Sequence, residues 1–274
     1  MTGVEGRVKE GCGLYLYCLV RGGKDAPFSC EDLSEAIGGN GDKVFAASFL
    51  DLSFVVSNSS KPYHDPIRAN LMAHQKVIEA VMERGRKPLP VRFGTVARHR
   101  ASAPAADRIG EVLRRRYGEF EGLLGDMENK TEVGLKAFWR KERVFDEIVA
   151  EYPDIRRLRD RTASAASQGL AGRDERLRLG TMVSRALETK REQDARRLLS
   201  HLTPVAYDYK TNKVSTDMMI LNGAFLVCNE RTAAFDAAVQ ELDERFGERM
   251  SFKYVGPLPP FNFIEIVVHW EEEE

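Results

Sequence analysis

Apolar positions along the first hundred residues follow two rhythms. "GLYLYCLV" (13–20) is an unbroken run of β-formers, the pattern of a strand covered on both faces. "KVFAASFL" and "LSFVVSNSS" have the same character on either side of Asp51 and read as two strands with a tight link. Between the first strand and this pair, "SCEDLSEAIGG" (29–39) reads as a short helix, with Ser29 as its N-cap and glycines closing it. The helical rhythm is clearest in "HDPIRANLMAHQKVIEAVMERG". Asp65 is the expected N-cap, Pro66 the first helical residue and Gly85 the stop. Its apolar face runs through Ile67, Leu71, Val77, Ile78, Val81 and Met82.

"KPLPVRFGTV" (87–96) follows that helix. Pro88 and Pro90 end the helix and hold the chain extended, and Val91 to Val96 then read as the closing strand. Gly94 permits a bulge or a close backbone approach. A charged helix over about 105–124 comes next. The first six elements follow the βαββαβ order of a ferredoxin-like sheet.

The second half repeats the order. "EVGLKAFW" (132–139) is a strand, and an arginine-rich helical region spans about 141–202. Breaks are expected at Tyr152–Pro153 and within "ASAASQGLAG". "PVAYDY" and "MMILNGAFLVC" read as strands joined by the polar loop "KTNKVSTD", with a bulge at Asn222–Gly223. Then comes an amphipathic helix whose face carries Phe235, Val239, Leu242 and Phe246. "MSFKYVGPLPPFNFIEIVVHW" supplies the last strands. The expected fold is α+β: two ferredoxin-like (βαββαβ-type) modules joined by long charged helices. Residues 1–125 would form an N-terminal domain with a trailing helix, and 126–274 a C-terminal α+β domain including the helical insertion.

At 274 residues and 43% hydrophobic content, the chain can build two cores. Charge changes the picture by exclusion: 41 Lys and Arg against 42 Asp and Glu leave a net charge of −1, which argues against a dedicated nucleic-acid binder. No apolar run approaches the ~18–20 residues of a membrane span, and the polar start has no signal core. A soluble intracellular protein is expected. The closing "EEEE" reads as a solubilising tail.

Candidate chemistry is sparse. Cys12, Cys18, Cys30 and Cys228 lack metal spacing, and Cys18 and Cys228 sit in apolar strand-like runs as packing residues. No phosphate loop, nucleophile elbow or HExxH is present. His64–Asp65 resembles a base with its carboxylate, but Asp65 is already used as a cap. His74 lies between Leu71 and Ile78 and reads as a core histidine bonded to backbone. His99, His201 and His269 are scattered. The basic runs at 98–100, 114–116 and 156–161 read as solvated helix faces, and the aromatic RNP1 pattern of RNA-binding sheets is missing. No catalytic, cofactor or metal residues are assigned. What remains is surface. Arg92, Phe93 and Gly94 with Pro259, Pro260 and Phe261 form a candidate partner-binding surface; the same segments also read as core-capping turns.

"YLYCLV", "HDPIRANLMAHQKVIEAV" followed by "PLPVRFGTV", "EVGLKAFW", "NGAFLV" and "YVGPLPPFNF" occur in that order. Together they resemble the gas vesicle protein F/L family from about residue 13 to 268; the helical middle matches no short motif. The resemblance implies a two-domain α+β protein, not an enzyme. Such a protein is an accessory or minor structural component of gas vesicle assembly, located in the cytoplasm and at the vesicle. Its implied partners are the hydrophobic major shell protein, which it keeps from aggregating, and other gas vesicle accessory proteins. The resemblance implies no cofactor. Two other readings stand beside it: a ferredoxin-like haem or small-molecule enzyme built around His74, and an RNA-binding module using the basic helices.

Overall fold

The computed structural model describes residues 3–5, 8–9, 12–22, 30, 33, 36–37, 42–99, 103–167 and 172–270, with backbone alone at 3–5 and 166–167. The helix expected over 29–39 falls largely outside these residues, and the terminal Glu run wholly so. The chain divides into two compact units: residues 1–132 with 257–274, and residues 133–256. The sequence draws one boundary at 125/126; in the structure the C-terminal segment returns to the first unit.

The first unit holds β1 (Gly3–Glu5), β2 (Gly13–Arg21), β3 (Val44–Phe49), β4 (Leu52–Ser59), α1 (Arg68–Glu83), β5 (Leu89–Pro90), β6 (Val96–Ala97), α2 (Ala105–Arg115) and α3 (Tyr117–Met127). Its sheet runs β1-β3-β4-β2-β5, with β6 also on β2, through antiparallel pairings. Leu14 to Val20 are all fully buried, as a continuous apolar run in a central strand requires. The β2–β4 register shifts between Leu16 and Cys18, a bulge at Tyr17. That bulge breaks the alternation. Leu14, Leu16 and Leu19 face α2, α3 and the C-terminal segment, while Tyr15, Tyr17, Cys18 and Val20 face α1.

Helix α1 begins at Arg68 with Ile67 in the cap position, so Asp65 and Pro66 lie outside it. Asp65 contributes instead through its carbonyl, which accepts from the Ile67 amide at 2.8 Å and the Asn70 side chain at 2.9 Å. The stop at Gly85 holds: its φ is +76°, its amide reaches the Met82 carbonyl, and the Arg86 amide reaches that of Val81, the two bonds of a Schellman cap.

The strand expected over 91–96 is broken. Pro90 pairs with Cys18, Val91 forms an isolated parallel bridge with Ile266, and pairing resumes only at Val96. Between them Gly94 takes φ +84°, and the Thr95 hydroxyl and amide both close on the Arg92 carbonyl, making a turn.

The second unit is built on β7 (Lys130–Trp139), α4 (Lys141–Glu151), α5 (Pro153–Ser167), α6 (Arg173–Leu202), β8 (Asp208–Thr211), β9 (Met219–Cys228), α7 (Thr232–Phe246) and β10 (Met250–Leu258). Its sheet order is β10-β7-β9-β8. Val133, Leu135, Ala137 and Trp139 point by strand alternation into a core shared with α4, α6, α7 and β9. The long charged helices lie inside this unit, between β7 and β8, and do not join two modules. Two local expectations are corrected. Pro204 starts a 3-10 turn, which delays β8 to Asp208. Asn222–Gly223 carries no bulge towards β8, because pairing runs in step from Thr211↔Gly223 to Asp208↔Leu226. Gly223 is needed for space: a Cβ there would stand 2.7 Å from the Phe225 ring.

Candidate partner-binding surface and the polar core beneath it

The sequence-predicted site residues all fall in the first unit, on two turns that the backbone ties together. The Ile266 amide donates to the Pro90 carbonyl, and the Arg92 amide donates to the Ile266 carbonyl, both at 2.9 Å. The Arg92 guanidinium grips Glu265 through Nε and Nη2 at 3.1 and 3.0 Å. Both side chains are about half exposed, so this pair locates the turn more than it stabilises it. The two Pro-x-Pro segments also meet: Lys87, Pro88 and Leu89 line one narrow crevice with Leu258, Pro259 and Pro260. Thr131 lines the same crevice, and its Oγ1 is buried without a hydrogen-bond partner.

The Pro259–Phe261 turn is fastened from beneath. The Phe261 amide closes on the Pro259 carbonyl, and the amides of Phe263 and Ile264 on that of Pro260. Glu132, almost fully buried, accepts from the Asn262 amide at 2.8 Å and its side-chain nitrogen at 2.5 Å. Pro259 is buried, so it caps the core and is not surface. Phe93, Gly94, Pro260 and Phe261 are half-buried, and Arg92 is exposed. Phe93 and Phe261 pack against the same core cluster.

Below them lies a polar aromatic cluster that sequence reading did not assemble. Tyr15 Oη bonds His74 Nδ1 at 2.9 Å and accepts from the Gly94 amide at 3.1 Å. The Tyr17 hydroxyl meets the Ser57 hydroxyl at 2.9 Å and accepts from the Ile37 amide at 2.8 Å. His74 stacks on Tyr17, and Phe93 packs edge-on against both His74 and Tyr15. His64 Nε2 bonds Ser59 Oγ at 2.8 Å. Burial lowers the His74 pKa to about 4 against a backbone bond to Val91 that raises it. Burial likewise lowers that of His64 and raises those of Tyr15 and Tyr17. Burial thus favours the neutral form of both histidines, and His74 Nδ1 is taken up by the Tyr15 hydroxyl. Tyr15 and Tyr17 share a face by plain strand alternation, and the bulge at Tyr17 adds Cys18 to that side.

Other charged groups are similarly occupied. In the second unit Asp194, nearly fully buried, accepts from Trp139 Nε1 at 2.8 Å and pairs with Arg249 at 2.7 Å. Arg249 also holds Glu147, and the buried Lys190 sits between Glu147 and Glu151 at 2.9 and 2.8 Å. In the basic runs, Arg114, Arg116, Arg157 and Arg159 each hold a neighbouring carboxylate. Among the described residues no group of three His, Cys, Asp or Glu could hold a metal ion, and no helix is long and apolar enough to cross a membrane.

One expectation about α1 fails instructively. Val77, Ile78 and Val81 are buried as its periodicity requires, but Ile67 and Leu71 are 57% and 42% exposed. Tyr63, which precedes the helix, and Met72, which does not continue the stripe, are exposed as well. The apolar stripe continues past the core with nothing described over it.

The class of protein defined by these elements is a mixed helix–strand fold on two antiparallel sheets. The comparisons place it. The family model for "Gas vesicle synthesis protein GvpL/GvpF" matches residues 13–265. The chain belongs to that family and takes part in gas vesicle formation. It is 29% identical to gas vesicle protein F of a Streptomyces species, over 92% of this chain and 99% of the relative. It is 24% identical to gas vesicle protein F of a Nostoc species, over 93% and 98%. The crystal structure of GvpF from an Anabaena species superposes with a TM-score of 0.71 at 24% identity, covering 94% of this chain and all of the other, and matches the fold.

Proposed function

We propose that the protein binds the hydrophobic major shell protein of gas vesicles and keeps it from aggregating before or during shell formation, working in the cytoplasm alongside other gas vesicle accessory proteins. The observation that carries this reading is the exposed apolar pair Ile67 and Leu71, which continues the buried face of α1, in a family devoted to gas vesicle synthesis. Large exposed apolar side chains grouped on one face are costly in a protein with no use for them. A shell subunit with an apolar surface needs such a cover until it is placed.

The two Pro-x-Pro turns belong to the same reading. Arg92, Phe93, Gly94, Pro260 and Phe261 form a partly exposed rim around a rigid polar core, with Pro259 as its buried anchor. A site held in one geometry loses less entropy on binding. The strand orders support a ferredoxin-like reading of both units: counting from β2 and from β7, each sheet places its first strand between its third and fourth, with the second outermost of the four. On that reading the first unit is an N-terminal domain completed by the chain's end, and the second a C-terminal domain carrying the helical insertion.

The test is capture of the shell protein from the same genome by the immobilised full chain, at low and high salt. Capture that survives high salt supports an apolar interface. No capture at either salt overturns the reading.

A further inference from the structure

We propose that the groove between α5 and α6 is a docking site for an acidic amphipathic segment of a partner protein. This deepens the functional reading above and rests on it for where the partner is sought, among the other gas vesicle accessory proteins. The groove lies within the second unit and is open, with a volume of about 700 Å³. Asp154, Arg157, Leu158 and Arg161 line it from one face of α5, and Arg178 and Met182 line it from α6 with i, i+4 spacing. A second hollow of about 290 Å³ shares Asp154 and Met182 and adds Ile155 and Arg185. Ile155 and Leu158 are buried and Met182 is half-buried, so an apolar floor runs between walls of arginine.

Charge selects the occupant. From residue 153 to 190 there are nine Arg and Lys against five Asp and Glu, in a chain whose net charge is −1. Arg157 is held by Asp154, and Asp160, which also lines the groove, is held by Arg159. Arg161, Arg178 and Arg185 are exposed, and among the described residues no hydrogen bond or ion pair engages their guanidinium groups. Asp174 and Glu175 precede Arg178 by one turn and Glu188 follows Arg185 by three residues, yet none of these carboxylates closes on them. Arg161 and Arg178 therefore offer open forks from opposite walls of the groove, with Arg185 on its continuation, and such forks take carboxylates bidentately. A segment with acidic residues beside an apolar one would engage them while its apolar side chain covers Leu158 and Met182. A nucleic acid fits less well. Asp154 and Asp160 would oppose an unbroken row of phosphates, and the lining of the larger groove includes no aromatic face for a base. Tyr152, half-buried, borders only the second hollow.

The test passes each gas vesicle accessory protein of the same genome, expressed singly, over the immobilised full chain, with a single-stranded RNA oligonucleotide as the competing probe. Two variants are compared: Arg161→Glu/Arg178→Glu in the groove, and Arg114→Glu/Arg143→Glu at two arginines that line neither hollow. All four side chains are exposed, so both variants should melt with the wild type, which a thermal scan verifies. The proposal expects at least one accessory protein to bind the wild type, more weakly at high salt. It should lose about tenfold or more in affinity with the groove variant, roughly 1.4 kcal/mol, and keep its affinity with the other. No accessory protein bound, the same affinity in wild type and groove variant, an equal loss in both variants, or RNA bound in place of protein would overturn it. Capture of intact shell protein, measured in parallel, separates the two levels. Shell protein held by the wild type while no accessory protein binds sinks the groove and leaves the shell-binding reading in place; failure of the wild type to hold shell protein sinks that reading, whatever the accessory proteins do.

Discussion

His74 shows how one buried side chain can make a whole protein acid-sensitive. Its folded pKa is lowered to about 4 by burial, whereas an unfolded histidine titrates near 6.5. Between those values the unfolded chain takes up a proton that the folded chain refuses. The stability His74 contributes is thus fully present above pH ~6.5 and is lost as pH falls towards 4, on the order of 3 kcal/mol at the bottom of that window. Urea denaturation at pH 7, 6 and 5 should show a falling midpoint. In His74→Phe the midpoint at pH 7 should drop, because the Tyr15 hydroxyl loses its partner at a cost of about 1–3 kcal/mol. Its dependence on pH should flatten without vanishing, since His64 is lowered too. An unchanged slope would contradict the assignment. Asp194 offers a second residue-level test. Replacing it with alanine strands Trp139 Nε1 and removes one carboxylate from Arg249, and should cost about 3 kcal/mol in a denaturant titration. The core character of His74 was legible from its place between Leu71 and Ile78. Its partners were not, because Tyr15 is 59 residues away in the chain and no local pattern encodes that pairing.

At the scale of elements, strong periodicity carried the reading and single turns defeated it. α1, α7 and the apolar strands β2, β4 and β9 stand where the pattern puts them, since 3.6- and 2-residue rhythms are long-range averages that one residue cannot upset. The segment after Pro90 reads as one strand from alternation, but Gly94 turns the chain and the Ile266 backbone takes the place of a sheet partner. That partner comes from the other end of the chain, so a local reading could not include it. The C-terminal segment is accordingly a structural element of the first unit, where Ile264, Ile266, Val268 and Trp270 join the core with α2 and α3. Ile266→Ala should destabilise the first unit by about 2–4 kcal/mol through the cavity it leaves. Removing residues 257–274 should go further: β2, β5 and α2 should lose hydrogen-exchange protection, whereas protection at those elements equal to that of the full chain would contradict the packing described here.

For the whole molecule, the sheets and their helices account for most of the buried residues, and the polar groups inside are largely spent on one another. The candidate rim at Arg92–Gly94 and Pro260–Phe261 could be guessed from exposed-looking aromatics and prolines. The overhanging end of α1 could not, because Ile67 and Leu71 follow the same periodicity as the residues buried behind them. Periodicity says which face is apolar; only the fold says how much of that face is covered. A family concerned with gas vesicle synthesis supplies the setting in which an uncovered face is an asset.

The measurement that tests the central claim most directly is the soluble yield of the major shell protein when expressed with and without this chain in the same host. The account predicts that co-expression moves shell protein from the pellet to the soluble fraction, bound to this chain, and that Ile67→Asp/Leu71→Asp reduces the effect. A soluble fraction that does not change with the wild-type chain present would contradict it.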